Sequence, residues 1–535
     1  MEHPAHHPSV QDVELDDEHR LADLGYKQEL TRDWSVLHNF GVSFSIISVI
    51  TGISTLLGYG LTVGGPGVMT TGWIIVSFFT MSVGLSMAEI VSAIPTAGGP
   101  YFWAATLAPP KYAPFFAWFT GWFNFVGQFA VTCGITFGCA GLISATASVN
   151  NPGFSPSPGK SIGIYAALLI SHVLVNSFGV RFLRYLNNSS IILHSVGVAS
   201  LAIALVAKAP TLQSAKFVFA TFYDGTGDPG WSVRASPEYV AICGVLLSQY
   251  TITGFDASAH LSEETHNAAR NAPIGVLTSI GVSAIFGFFL MLCLLFSIQD
   301  FAATVGTDYS YPVVQIFVDV FGTKGAMAAM TLVIVCVWHC GLFSLTSNSR
   351  MMFAFSRDGA LPAFFDAVDA KHHAPIRTIC LAALLAFILS LPSLGSAVAF
   401  AAATSIATIG LYISYATPIL VAVIWPHHFA RGPFNLGKFS RPIGFVACTW
   451  VAFITVVFCL PTANPVTSQT VNYTPVAVGI VAIFTISTWL LWAHKWFTGP
   501  RRQIELEAAG IDITDPAAVA EADKSGIVNG EMKLD

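Results

Sequence analysis

Between Trp34 and Ala88 the chain carries no Asp, Glu, Lys or Arg. A run of that length accommodates two helices of about 20 apolar residues, the length that crosses a hydrocarbon core. Gly64-Gly-Pro-Gly67 divides it, which sets a first span at 38–63 and a second at 68–94. The same alternation of long apolar runs with short polar, Gly- and Pro-containing breaks continues along the chain. It predicts span 3 within the charge-free stretch 112–159, then spans at 162–180, 188–207, 239–262, 273–297, 325–356, 377–392, 395–424, 442–463 and 474–497. Twelve spans place both termini on one side of the membrane. A polar segment, 208–238, separates the first five spans from the sixth and reads as an outer loop. Residues 298–323, including Tyr311 to Phe321, read as a second, partly helical one.

Span 6 is the one whose apolar pattern breaks most sharply, in Tyr250-Thr-Ile-Thr-Gly-Phe-Asp-Ala-Ser-Ala-His-Leu-Ser-Glu-Glu-Thr265. An Asp at the centre of a membrane helix costs about 2.5–3.5 kcal/mol even on the lower insertion scales. Asp256 is therefore a candidate for function, beside Gly254, which weakens helix continuity where Thr253 and Ser258 offer side-chain oxygens. No Lys or Arg lies mid-span to neutralise it, so either a cationic substrate end or a proton is the expected partner. Span 1 contains the similar Thr51-Gly-Ile-Ser-Thr55. Two Gly-interrupted spans, each first in a block of five, point to an inverted repeat with a site at the two breaks, near Gly52 and Gly254.

The composition agrees with that reading. At 535 residues, 54% hydrophobic and 10% charged, with a mean hydropathy of +0.65, the chain is an all-α polytopic membrane protein. Its parts are a tail (1–37), a five-helix block (38–207), the outer loop (208–238), a second block (239–424), spans 11 and 12 (425–497) and a tail (498–535). Most of the 24 Lys and Arg residues fall on the side of the tails, which makes both termini cytosolic. The first 33 residues, with His3, His6 and His7, lack the apolar core of a signal peptide. All nine cysteines fall within spans, which argues against a disulfide framework. Cys336-x-x-His339-Cys340 is the only hint of a metal site, and no second ligand cluster accompanies it. No nucleophile–base pair, phosphate loop or cofactor motif is evident, so neither an enzyme nor a nucleic-acid binder is expected.

Other polar groups in the spans have two readings each. Asn124 and Gln128, one turn apart on span 3, face a cavity or bond a neighbouring helix. His194 in span 5 is a proton relay or a satisfied packing residue. Glu89, Glu263, Glu264 and Arg350 lie near the cytosolic ends and are gate candidates, with packing as the alternative.

Phe44-Ser-Ile-Ile-Ser48, Gly84-Leu-Ser-Met-Ala-Glu-Ile90, Pro95-Thr-Ala-Gly-Gly99, Thr120-Gly-Trp-Phe-Asn124, Thr253-Gly-Phe-Asp-Ala-Ser-Ala-His260, Ser262-Glu-Glu-Thr265 and Ser356-Arg-Asp-Gly-Ala360 resemble the amino acid/choline transporter branch of the amino acid–polyamine–organocation superfamily. The acidic tail with Leu24-Gly-Tyr-Lys-Gln-Glu-Leu30 is similar to that of fungal members. The resemblance implies a LeuT-type five-plus-five inverted repeat, a substrate site between spans 1, 3, 6 and 8, and proton coupling, to which His194 is a candidate contributor. Thr51, Gly52, Ile53, Ser54, Asn124, Thr253, Gly254, Phe255 and Asp256 are the expected substrate residues, with Phe255 as an inner wall. A zwitterionic amino acid or γ-aminobutyrate would set its carboxylate on N–H groups around Thr51–Ser54 and its amine on span 6 carbonyls and Asp256. Choline, the alternative, calls for an aromatic cage, for which Trp122, Phe125, Phe255 and Trp338 are available. A receptor that binds without transporting is a further alternative. The expected location is the plasma membrane or an internal membrane such as that of the vacuole.

Overall fold

The computed structural model describes residues 10–500 apart from 31, 152, 155 and 397–404. Most of the expected C-terminal tail, the start of the N-terminal one and the first part of span 10 lie outside the described residues. Among the described residues the chain is helical, with one two-stranded pairing of Val63–Gly64 with Tyr223–Asp224. Eleven helices among the described residues are long and apolar enough to cross a membrane. The expected span 6 is not among them, because it is broken into three short pieces.

After α1 (Val10–Asp23), the first span comprises α2 (Val36–Ile47) and α3 (Val49–Thr62). The next elements are α4 (Gly65–Ala93), the short α5 (Pro100–Leu107), α6 (Ala113–Asn150), α7 (Pro158–Phe178), and α8 (Val180–Ile192) joined through a π-helical turn, Leu193–Gly197, to α9 (Val198–Lys208). The broken segment is α10 (Pro237–Gly244), α11 (Leu246–Thr251) and α12 (Ala257–His260). Then come α13 (Ala268–Phe296), α14 (Pro312–Arg357), α15 (Ile376–Ser390), α16 (Ile406–Ile424), α17 (Ser440–Phe458) and α18 (Thr474–Leu491). Gly322, at φ 67° and ψ 176°, divides α14 into an outer piece and a long span. α4 packs along α13, and α6 lies against both α14 and α16. Ile170, Leu174 and Phe178 form an exposed stripe on α7, each more than half accessible, as a lipid-facing helix requires.

The break in span 1 differs from the expected one. It falls at Ser48, whose φ of 34° and ψ of 73° are left-handed, and Gly52 sits inside α3. Glycine was the expected breaker because it has no Cβ to exclude left-handed backbone. Here a serine takes that conformation and is held by side-chain bonds. Gly52 has another use: a Cβ on it would stand 2.4 Å from Thr251 Oγ1, so it lets α3 approach α11 closely.

The break in span 6 falls where expected. Gly254 has φ 101°, and a Cβ there would lie 2.5 Å from Cγ2 of Ile46 at the end of α2. The two interruptions therefore press against each other. Side chains satisfy the freed backbone: Ser43 Oγ–H donates to Phe255 O at 3.1 Å, Asn39 Nδ2 to Ser258 O at 2.9 Å, and Tyr412 O–H to Ile252 O at 3.1 Å.

Gly254→Ala combines a left-handed residue with a steric clash, and should cost about 1–3 kcal/mol. Gly163→Ala, in open space on α7, should be neutral or slightly stabilising. Thermal unfolding of the two variants in detergent checks this; equal midpoints would mean that the backbone at 254 is not constrained.

Candidate functional site

A cavity of about 20 Å³ lies where the breaks meet, lined by Ile46, Ile47, Thr51, Gly52, Tyr250, Thr251, Thr253 and Cys340, with Val131, Ile135 and Thr408 from α6 and α16. That is room for roughly one water. Admitting an amino acid requires the helices around it to part. Thr51, Gly52 and Thr253 of the expected site are thus brought together. Ile53 and Ser54 lie buried further along α3 and do not line the cavity. With α3 beginning at Val49, the N–H of Gly52 already bonds Ser48 O at 3.2 Å. The N–H groups free of the helical ladder therefore come earlier than Gly52-Ile53-Ser54, a consequence of where the break falls.

The side chains of Asn124 and Asp256 point elsewhere. Asn124 Nδ2 donates to Ser414 Oγ on α16 at 2.9 Å, which is the helix-bonding reading. Gln128, one turn on, donates from Nε2 to Asp256 Oδ2 at 2.7 Å. His260 Nε2 lies 3.3 Å from the same oxygen. Neither neighbour of Asp256 is the Lys or Arg that a buried carboxylate calls for, although His260 stands four residues away in the same motif. Phe255 is fully buried against Tyr415, with ring centroids 5.2 Å apart, and against Tyr412 at 6.4 Å.

His194 sits in the π-helical turn, a feature that often marks functional positions. Its Nδ1 is 2.9 Å from Ser190 O, and its Nε2 is 2.8 Å from Ser48 Oγ. Ser48 Oγ is in turn 2.5 Å from Thr51 Oγ1. A chain of hydroxyls thus runs from His194, through the residue that breaks span 1, to the cavity wall.

At the end of span 6 the acidic pair meets two arginines of α14. Arg350 Nε donates to Glu264 Oε1 at 2.8 Å, and Arg357 donates to both oxygens of Glu263 at 3.0 and 3.2 Å, all four side chains being buried. Arg357 was not among the expected gate residues. Burial raises the Glu263 carboxyl, but the Arg357 charge and its hydrogen bonds outweigh that and hold it below the usual carboxylate range. The segment after α1 straps this cluster. The Tyr26 ring lies 4.1 Å from the Arg357 guanidinium and its hydroxyl donates to Asp358 Oδ1 at 2.6 Å. Gln28 Nε2 donates to Glu263 O at 2.9 Å. Asp17 accepts from the N–H groups of Asn267 and Ala268 at the start of α13. Glu89 stands apart from these pairs: its Oε1 accepts from the N–H of Leu436 at 2.9 Å and so fixes the loop before α17.

The four rings considered for a cage do not converge. Trp122 and Phe125 pack with Phe355, Phe255 packs with the tyrosines of α16, and Trp338 packs with His172 and His339. The Cys-His motif also diverges. His339 turns to Ser189 and Val335 O, and Cys340 to Ile46 O.

Comparison with known proteins gives a consistent picture. The sequence model of a family described as amino acid permease matches residues 37–483. A rice protein named amino-acid permease BAT1 homolog is 46% identical over 90% of this chain and 95% of its own length. The Arabidopsis thaliana amino-acid permease BAT1 is 45% identical over 90% of this chain and 95% of its own. The GABA-specific permease of Saccharomyces cerevisiae is 32% identical over 94% of this chain and 89% of its own.

The ion pairs generate a stability prediction. Arg357→Gln leaves Glu263 buried and unpaired and should cost about 3–5 kcal/mol. The Glu263→Gln/Arg357→Gln double variant should lose clearly less than the sum of the two single changes, a double-mutant cycle read from unfolding midpoints. Because the folded-state value of Glu263 is depressed, the pair's contribution is fully present at neutral pH. It should fade only as pH falls below about 4.3, the ordinary Glu value, and through the depressed one.

Proposed function

We infer the activity from membership: this chain belongs to the amino acid permease family, and it is an integral, multi-pass membrane transporter of amino acids, not an enzyme. Beyond that, we read it as an alternating-access carrier for a zwitterionic amino acid or γ-aminobutyrate, driven by protons. In this reading the broken segment Pro237–His260 is a twelfth crossing, the two five-helix blocks are inverted repeats, and both termini are cytosolic. The membrane is the plasma membrane or an internal one.

The observation that carries the reading is the cavity between two facing helix breaks, rimmed by Thr51, Gly52 and Thr253. Half-helices that end inside the bilayer present backbone N–H and C=O groups, which suit the carboxylate and ammonium ends of an amino acid. Carboxylate recognition is assigned to the start of α3 with Thr51, and ammonium recognition to carbonyls around Thr253. Phe255 and Gly254 form the wall beside them that moves when the half-helix moves. The yeast γ-aminobutyrate permease among the relatives supports that substrate class. The scattered rings argue against choline. Asp256, occupied by Gln128 and turned from the cavity, is better placed to hold a proton than a substrate amine. His194, tied to the break through Ser48, is the other coupling candidate. The Glu263–Arg357 and Glu264–Arg350 pairs serve as the cytosolic gate.

Purified protein in vesicles, supplied with labelled amino acids, γ-aminobutyrate and choline with and without an inward proton gradient, tests this. Uptake of an amino acid or γ-aminobutyrate, raised by the gradient, is expected. Thr51→Ala should raise the KM for that substrate about tenfold, the effect of losing one buried hydrogen bond worth about 1.4 kcal/mol. Binding without uptake would mark a receptor, and uptake of choline alone would overturn the substrate class.

A further inference from the structure

His194 and His260 are both buried, and counting donors and acceptors separates them. His194 Nδ1 faces the carbonyl of Ser190, which only accepts, so that nitrogen carries the proton. Its Nε2 then accepts from the Ser48 hydroxyl. Nδ1 also lies 3.1 Å from Ser190 Oγ, which can accept from the same N–H; a neutral ring satisfies all three contacts, and no further proton is called for.

The same count at His260 does not close. Nδ1 is 2.8 Å from Ala97 O, so it too carries a proton. If that were the ring's only proton, the lone pair of Nε2 would face the carboxylate oxygen Asp256 Oδ2 across 3.3 Å, with both side chains almost wholly buried. Among the described residues Nε2 has no aligned hydrogen bond, Asp256 Oδ2 included, so the 3.3 Å approach is a close contact between the two groups without a formed hydrogen bond. Two acceptors held this close in a low-dielectric interior repel, whereas one proton between them gives an attractive pair of zero net charge. Oδ2 also accepts from Gln128 Nε2 at 2.7 Å, which leaves the oxygen as acceptor and the ring nitrogen as donor.

We propose that Asp256 and His260 hold one proton in common, on His260 Nε2 in this conformation, and that this pair is the proton site linked to the cytosolic gate. The proposal rests on the proton-coupled reading above and names its site. The link is Ala97. Its carbonyl accepts from His260, while its N–H donates to Glu263 Oε1 at 2.9 Å, and Glu263 is the partner of Arg357. Gly99, at φ 56°, presses the same loop onto the ring; a Cβ there would come within 2.8 Å of His260 Cε1. Loading forms one N–H bond on Nε2 with a proton taken from water on one side, and unloading breaks that bond and returns the proton to water on the other. Once unloaded, the ring and carboxylate repel, and a turn of the ring pulls on Ala97 and, through it, on Glu263. The other titratable and charged groups facing the pair are Tyr412 and Tyr415 on α16, beside Asp256, and Glu263 with Arg357 beyond Ala97.

Reconstituted wild type, His260→Gln and, as a control on an exposed loop, His428→Gln are compared by two readouts: substrate counterflow, and accumulation driven by a pH gradient. The ratio of accumulation to counterflow should fall at least tenfold in His260→Gln. The control should match wild type. Wild-type coupling retained in a folded His260→Gln protein would overturn the proposal. Absence of gradient-driven accumulation in wild type would instead overturn the proton-coupled reading. A third readout, ¹⁵N NMR of histidine-labelled wild type, needs no variant and decides the matter if His260→Gln does not fold. A ring protonated on both nitrogens, with an Nε2 proton that exchanges slowly with water, is expected under the conditions of the counterflow assay. A spectrum with no slowly exchanging, doubly protonated ring would overturn the proposal.

Discussion

The constraint on which the rest of this structure depends is that backbone N–H and C=O groups freed inside a bilayer must find partners within the protein. Two helices give up their ladders in this chain, at Ser48 and around Gly254, and they do so against each other. Asn39 and Ser43 on α2 bond the backbone of the broken sixth segment, and Tyr412 on α16 bonds Ile252 O. Each interruption is therefore partly supported by the other. A site made this way is costly to leave unfilled with partners and easy to rearrange, because its hydrogen bonds run from side chains to backbone and not along a continuous ladder.

Charge is distributed under the same constraint. Asp256 is buried against Gln128 and His260, and Glu263 and Glu264 each meet an arginine of α14. Buried ion pairs of this kind add little net stability relative to apolar packing, yet losing one partner is expensive. They suit a contact that must be either fully made or fully parted. The segment from Asp17 to Trp34 lies over these pairs and caps the start of α13, so the first part of the chain closes over the site that later segments build.

Several of these features are legible in the order of residues alone. The apolar runs place α4, α7 and α15 to within a few residues, because the hydrocarbon thickness dictates a length and water excludes charge from it, whereas α8 and α14 begin well before the expected spans. Gly254 marks a true break because no side chain competes there and the preceding apolar pattern ends. Family-like motifs around Thr253–His260 and Ser356–Ala360 mark segments that prove to lie at the break in span 6 and at the ion-pair cluster. Compositional bias says that the chain is a polytopic membrane protein.

What only the tertiary structure decided are pairings between residues far apart in the chain. Ser48, not Gly52, breaks span 1, and the His194 ring that holds it comes from a segment about 150 residues away. Gly52 is needed instead for its missing Cβ beside Thr251, a contact between segments about 200 residues apart. Asn124 turns to Ser414 and its neighbour Gln128 to Asp256, a choice that one helical turn of sequence leaves open and helix rotation settles. Periodicity records which positions avoid lipid or water. It carries no record of which buried polar group meets which, because that depends on how whole helices are turned and stacked against one another.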